Sequence, residues 1–297
     1  MGNRYKAHLA LIGTNVFFAI NFTAVKYLFN GAYIKPFGLN FIRILLTTIL
    51  FWVIYLFKKN KTIIDKKDIG RLLLCSLTGI VINQLLFIKG LSLTYSIHAS
   101  LLMLTTPLLI VLIAAILLKE RVTFNKLTGL ILGVSGAALL IANRQNSGGG
   151  SHVLWGDTLV LLNAISYSVY FIIVKPLMKK YEPLTVTRLL FTIGLFIAFP
   201  FCWKEFSVTP WSIYSFTEYS VLGLIVIGGT FFAYLFNVYG IKHLGPAISG
   251  SYIYSQPIFA TVIAIIFLGE TLDWYKVFSG ALIFSGVFLA NKNNKNA

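Results

Sequence analysis

The sequence predicts an all-α integral membrane protein with ten transmembrane helices arranged as two inverted five-helix repeats, and three observations carry the prediction. The chain is 57% hydrophobic and 11% charged, with a mean hydropathy of +0.82, whereas roughly a quarter of an ordinary soluble domain is charged. Apolar runs of about 18 residues or more recur along its length, each sufficient to cross a hydrocarbon core about 30 Å thick as a helix. Gly79, Gly90, Pro107, Glu120, Lys126, Ser135 and Gly136 return as Gly229, Gly240, Pro257, Glu270, Lys276, Ser285 and Gly286, all at an offset of 150 residues. A single offset shared by seven positions marks a duplicated unit. A soluble fold is excluded, and a transmembrane barrel fits poorly because its strands alternate polar and apolar over about ten residues.

The first helix, 8–28, has no small-residue cleavage site followed by a polar domain, so it reads as retained rather than as a signal peptide. The second, 37–57, follows Pro36, and the third, 70–91, carries Gly79 and Gly90. The fourth, 97–118, contains Pro107 and runs into Lys119, Glu120 and Arg121, while the fifth, 125–143, carries Gly129, Gly133 and Gly136. A run from Asn143 to Ser151 with three glycines then forms a flexible joint between a first repeat, 1–146, and a second, 147–297. The remaining spans are 154–175, 184–203 after Pro183, 219–241 with Gly229 and Gly240, 247–268 with Pro257, and 274–291 with Gly280 and Gly286.

The net charge of +16 is spread over short loops, so it argues for membrane topology and against nucleic acid. With the N-terminus inside, all of the Lys and Arg residues fall in cytoplasmic segments except Lys26, Lys35, Arg43, Lys89, Arg144, Lys204 and Lys276, the bias expected of cytoplasmic loops. Both termini are then cytoplasmic. Five helices per unit is an odd number, so the second unit enters the membrane upside down. The bases around Glu120 are replaced by Gly269 and Thr271 around Glu270, as befits a loop that changed sides. Inverted repeats place a shared cavity near the bilayer midplane.

At these residues the chain resembles the EamA-type drug/metabolite transporters, ten-helix proteins of two five-helix repeats. The resemblance rests on Pro107 to Glu120 with Gly129, Gly133 and Gly136, on Pro257 to Glu270 with Gly280 and Gly286, and on Pro36 to Arg43 and Pro183 to Arg188. It implies a secondary transporter, an exporter of small polar or amphipathic metabolites, amino acids among them, working by alternating access. It further implies a cavity lined by the first, third, fourth, sixth, eighth and ninth helices. The last helix of each repeat would serve packing within one chain or a homodimer surface.

Polar side chains inside spans are costly unless they face a cavity or a partner helix. The substrate-binding candidates are Asn21, Asn83, Gln84, His98, Tyr167, Tyr170, Tyr234, Asn237, Tyr252 and Gln256, which exchange hydrogen bonds without bringing a fixed charge. Asn15, Asn163, Ser249 and Tyr254 are polar residues of the same helices. Pro107 and Pro257 read as hinges or as static kinks, since each removes a helical hydrogen bond. Arg43 and Arg188 salt-bridge or snorkel, and Lys26 and Lys89 attract an anionic substrate or snorkel. The nine acidic residues are all assigned to loops or helix ends, which leaves proton coupling unsupported.

No catalytic residue, metal site or cofactor is expected. Cys75 and Cys202 form no ligand spacing, no phosphate-binding Gly-x-x-x-x-Gly-Lys-Ser/Thr run occurs, and the acids lie singly rather than beside a nucleophile. An integral membrane enzyme on lipid-linked substrates and a passive channel are the alternatives. The expected partners are a small-molecule substrate and the lipid bilayer, that of a bacterial inner membrane.

Overall fold

A computed structural model describes residues 2–58, 64–117, 124–142 and 152–291. Lys119, Glu120, Arg121 and the 143–151 joint lie outside them. Among the described residues there are helices and no strands. Eight helices are long and apolar enough to cross a membrane: α1 (Asn3–Asn30), α2 (Pro36–Leu56), α3 (Lys66–Leu93), α4 (Ser96–Ile116), α6 (Val153–Lys180), α7 (Pro183–Ser207), α8 (Phe216–Leu244) and α9 (Ile248–Leu268). Two shorter apolar helices, α5 (Phe124–Ala142) and α10 (Trp274–Asn291), complete the set. The chain is a multi-pass membrane protein. Its outward faces are apolar accordingly, with Phe196, Phe267 and Ile266 each at least two-thirds exposed; such a surface suits lipid and would aggregate in water.

Several helices outrun the expected spans. Helix α6 continues past Pro176 to Lys180, whose ammonium reaches Asp65 at 3.2 Å and Asp68 at 2.7 Å. Helix α7 likewise continues past Pro200 to Ser207.

The two halves contact each other reciprocally. Helix α1 packs on α8 and α9 while α6 packs on α3 and α4, and α2 packs on α7 as α5 does on α10. Swapping the halves maps this set onto itself. Individual contacts repeat as well. Gly79 abuts Tyr170 and Gly229 abuts Asn21, while Gly90 abuts Val160 and Gly240 abuts Leu11. Gly136 meets Ile283 and Gly286 meets Gly133. Contacts exchanged in this way are what a two-fold relation between the halves produces.

Helix ends need partners for their free backbone groups, and charged side chains supply them at three ends here. The Glu205 carboxylate accepts from the Phe37 and Gly38 amides at 2.7 and 3.3 Å, opening α2. Glu270 accepts from the Ser96 and Ile97 amides at 2.8 and 2.9 Å, opening α4. Lys26, buried and not snorkelling, donates to the Leu91 and Thr94 carbonyls at 3.2 and 2.6 Å, closing α3.

The α5–α10 seam depends on absent side chains, because a Cβ on Gly286 would stand 2.6 Å from the Gly133 amide nitrogen, and backbone cannot give way. Gly286→Leu is therefore expected to destabilise the protein by about 3 kcal/mol through overpacking, read as a lower melting temperature in detergent. Gly70→Ala, at a site with nothing within 4 Å, should leave the melting temperature unchanged or raise it through the stiffer unfolded chain.

Candidate functional site

Two irregularities, each repeated at the 150-residue offset, aim polar side chains inward. The first is a π-helical turn, at Leu77–Val81 in α3 and within Leu224–Phe232 in α8. Gly79 and Gly229 lie in these turns and admit Tyr170 and Asn21, and the Thr230 hydroxyl bonds the Ile225 carbonyl five residues back at 2.9 Å. Such turns rotate the downstream side chains to a new face and recur at functional sites. Here they precede Gln84 and Tyr234, which occupy equivalent places in the two repeats and meet each other, Nε2 to hydroxyl, at 3.3 Å.

The second irregularity interrupts α4 at Leu104 and Thr105 and α9 at Tyr252–Ser255. Pro107 and Pro257 stand second in the segments that restart, Thr106–Leu117 and Gln256–Leu268. In a first turn a proline sacrifices no hydrogen bond, so each break precedes its proline.

Between these turns lies a cavity. Helix α1 contributes Phe18, Asn21 and Phe22, α2 contributes Arg43, and α3 contributes Asn83, Gln84 and Phe87. Met103 of α4, Asn163 and Tyr167 of α6, Tyr234 of α8 and Gln256 of α9 close it. The free space is about 50 Å³, room for a few waters. A larger cleft of about 400 Å³ beside Lys6, Glu182 and Tyr239 contains no buried polar atom without a partner among the described residues.

The central cavity differs in that respect. The Tyr234 hydroxyl lies 3.2 Å from both the Gly79 carbonyl and Asn83 Oδ1. Asn163 Nδ2 donates to the Asn83 carbonyl at 2.7 Å, and Gln256 Nε2 to Asn15 Oδ1 at 2.7 Å. Yet Asn21 Oδ1, Gln84 Oε1, Asn163 Oδ1 and Arg43 Nη1 are buried without a partner. A buried polar atom left unpaired costs roughly 1–3 kcal/mol, so four around one small cavity make it a place where a polar guest is stabilising.

Of the ten candidates, Asn21, Asn83, Gln84, Tyr167, Tyr234 and Gln256 line this cavity. Asn237 stands behind it and donates to the Tyr167 hydroxyl, and Tyr170 stacks under Tyr167 with ring centroids 5.8 Å apart. Tyr252 is bound instead to His8, 2.5 Å from its Nδ1. Phe18, Phe22, Phe87, Met103, Asn163 and Arg43 are lining residues absent from the candidate set. The signal for the phenylalanines was their position within one turn of Asn21 and Gln84. Both arginines depart from expectation. Arg188 stacks on the rings of Trp52 and Tyr55 at 4.2 and 3.6 Å, and Arg43 turns to the cavity. Neither has an acidic partner among the described residues.

His98 lies away from the cavity, in a second buried cluster. Asp157, assigned to a helix end by the sequence, is fully buried in the first turns of α6. Its Oδ2 lies 3.0 Å from His98 Nδ1, and its Oδ1 accepts from the Thr94 hydroxyl. The far ring nitrogen of His98 is 3.3 Å from the Tyr275 hydroxyl. Burial of this carboxylate becomes possible because α3, α4 and α10 each bring it or its histidine a hydrogen-bonding group. Among the described residues no three His, Cys, Asp or Glu side chains gather as a metal site.

The sequence matches the profile of the EamA-like transporter family twice, over residues 5–142 and 154–292. It is 25% identical to an uncharacterized transporter of Archaeoglobus fulgidus over 96% of this chain and 98% of that one. It is 30% identical, over 76% of this chain and 74% of the other, to a Streptantibioticus cattleyicolor protein named "Probable terminal-alkyne amino-acid exporter". A solved crystal structure superposes with a TM-score of 0.66 over 95% of this chain and 96% of that one, at 20% identity.

Asp157→Ala should strip His98 and Thr94 of their shared acceptor and lower stability by roughly 1–3 kcal/mol for each buried donor left unpaired. Tyr275→Phe removes one peripheral bond and should cost only about 1 kcal/mol. Thermal melts of the two purified variants test this ordering, and equal losses would contradict it.

Proposed function

Because the chain belongs to the EamA-like transporter family, we propose that it is a secondary transporter exporting small polar or amphipathic metabolites, amino acids among them, by alternating access through the central cavity. The observation that carries the reading is the cavity itself, set where the two halves meet and lined by polar atoms without partners. Aromatic walls beside amide and hydroxyl groups suit a solute with one apolar and one polar end. The similar protein named as an amino-acid exporter supports the amino-acid class.

In this reading all ten helices span, the two repeats are inverted, and both termini are cytoplasmic in a bacterial inner membrane. Paired contacts at the helix ends support that topology. Lys58 meets Glu182, Lys180 meets Asp65 and Asp68, and His8 meets Tyr252, all at the end assigned to the cytoplasm. Tyr27 with Glu218, Glu205 with Gly38 and Glu270 with Ile97 gather at the other. The small-residue faces of α5 and α10 pack on each other within one chain, which favours that use over a homodimer.

The repeated breaks before Pro107 and Pro257 support a hinge at each, and an inverted repeat with an enclosed cavity favours a transporter over a channel. Reconstituted vesicles preloaded with unlabelled amino acids should exchange them for labelled ones. Exchange of sugars and not of amino acids would overturn the amino-acid reading, and unitary conductance in a planar bilayer would make the protein a channel. Pro107→Ala and Pro257→Ala should slow this exchange several-fold, by roughly 1 kcal/mol in the barrier, while changing substrate affinity less. Unchanged turnover would reduce both to static kinks.

A further inference from the structure

Arg43 breaks the symmetry of the halves at their centre. Arg43 and Arg188 both lie near the start of the second helix of their repeat, yet Arg188 is held by the rings of Trp52 and Tyr55 and does not line the cavity. Arg43 does, at 3% exposure. Its Nε donates to the Thr230 hydroxyl in the π turn of α8 at 3.1 Å, and its Nη1 is buried without a partner. Among the described residues no carboxylate lines the cavity. A buried cation in a membrane protein is costly when unpaired, and such groups mark the pathways of charged solutes.

The chemistry around Arg43 is complementary in sign. Asn21 Oδ1, Gln84 Oε1 and Asn163 Oδ1 are acceptors without donors, so the cavity offers one cationic fork and three carbonyl oxygens. A guanidinium pairs with carboxylates through charge-assisted bonds that a point charge or an amide does not reproduce. An ammonium or other hydrogen-bond donor satisfies the oxygens.

Resting on the transport reading of this same cavity, we propose that Arg43 is its carboxylate subsite, so that the protein selects solutes carrying a free carboxylate together with a donor group, and rejects their esters and amides. The substrate docks its carboxylate on Nη1, its donor on the amide oxygens, and its apolar part against Phe18, Phe22 and Phe87.

The test uses purified full-length protein and four probes: L-phenylalanine, L-leucine, and the methyl ester of each. Ligand-induced rise in melting temperature gives apparent affinity, since a ligand of the folded state stabilises it. The free acids are expected to stabilise the wild type and the esters to lose roughly 10- to 100-fold in affinity, the range of charge-assisted hydrogen bonds. Arg43→Gln should erase the distinction between acid and ester, Arg43→Lys should retain part of it, and Arg188→Gln should keep it whole. Esters that stabilise the wild type as well as the acids, or no stabilisation by either acid, would overturn the proposal without any variant having to fold. Counterflow in vesicles separates the two readings. Acids that bind through Arg43 and are never exchanged sink the transport reading alone, whereas acids and esters exchanged equally sink the Arg43 subsite alone.

Discussion

A polar group inside hydrocarbon has no water to fall back on, and this constraint shapes the structure from its helix ends to its centre. At three helix ends another part of the chain supplies the missing partner. Glu205 and Glu270 each satisfy two amides at a helix start, and Lys26 satisfies two carbonyls at a helix end. Asp157, His98, Thr94 and Tyr275 likewise satisfy one another in a cluster buried between helices. These charges complete hydrogen bonding between helices, whereas around the central cavity four polar atoms of its lining residues have no partner.

The duplicated plan explains why the openings converge. The π turns and the breaks before proline occur once in each half, at equivalent positions. Gln84 and Tyr234, equivalent by repeat, touch each other, so the line relating the halves passes by the cavity. The site at this junction takes its walls from both halves, more of them from the first. Arg43 then introduces an inequality into an otherwise matched frame.

The family, the membrane and the approximate spans were legible in the sequence because each rests on patterns that survive without coordinates: apolar length, the 150-residue offset and the Pro and Gly positions. The cavity was legible in part. Asn21, Asn83, Gln84, Tyr167, Tyr234 and Gln256 stood out as polar residues within apolar runs and do line it. His98 and Tyr252 looked identical by that criterion and face elsewhere, since polarity in a span signals that some partner exists without saying which. Asp157 was misplaced because its position near a helix start resembles an exposed cap, and only the convergence of α3, α4 and α10 buries it. The two arginines, alike in sequence, were separated by a pair of rings, Trp52 and Tyr55, that only the fold brings to one of them.

Two halves in opposite orientation around one cavity should present equivalent positions to opposite sides of the membrane. Lys66, in the first turn of the third helix of the first repeat, and Thr217, in the first turn of the third helix of the second, are both exposed, while the native Cys75 and Cys202 are buried. A membrane-impermeant maleimide added to intact cells should label Thr217→Cys and leave Lys66→Cys untouched until the membrane is permeabilised. Labelling of both from the same side would mean parallel repeats, and would contradict the account.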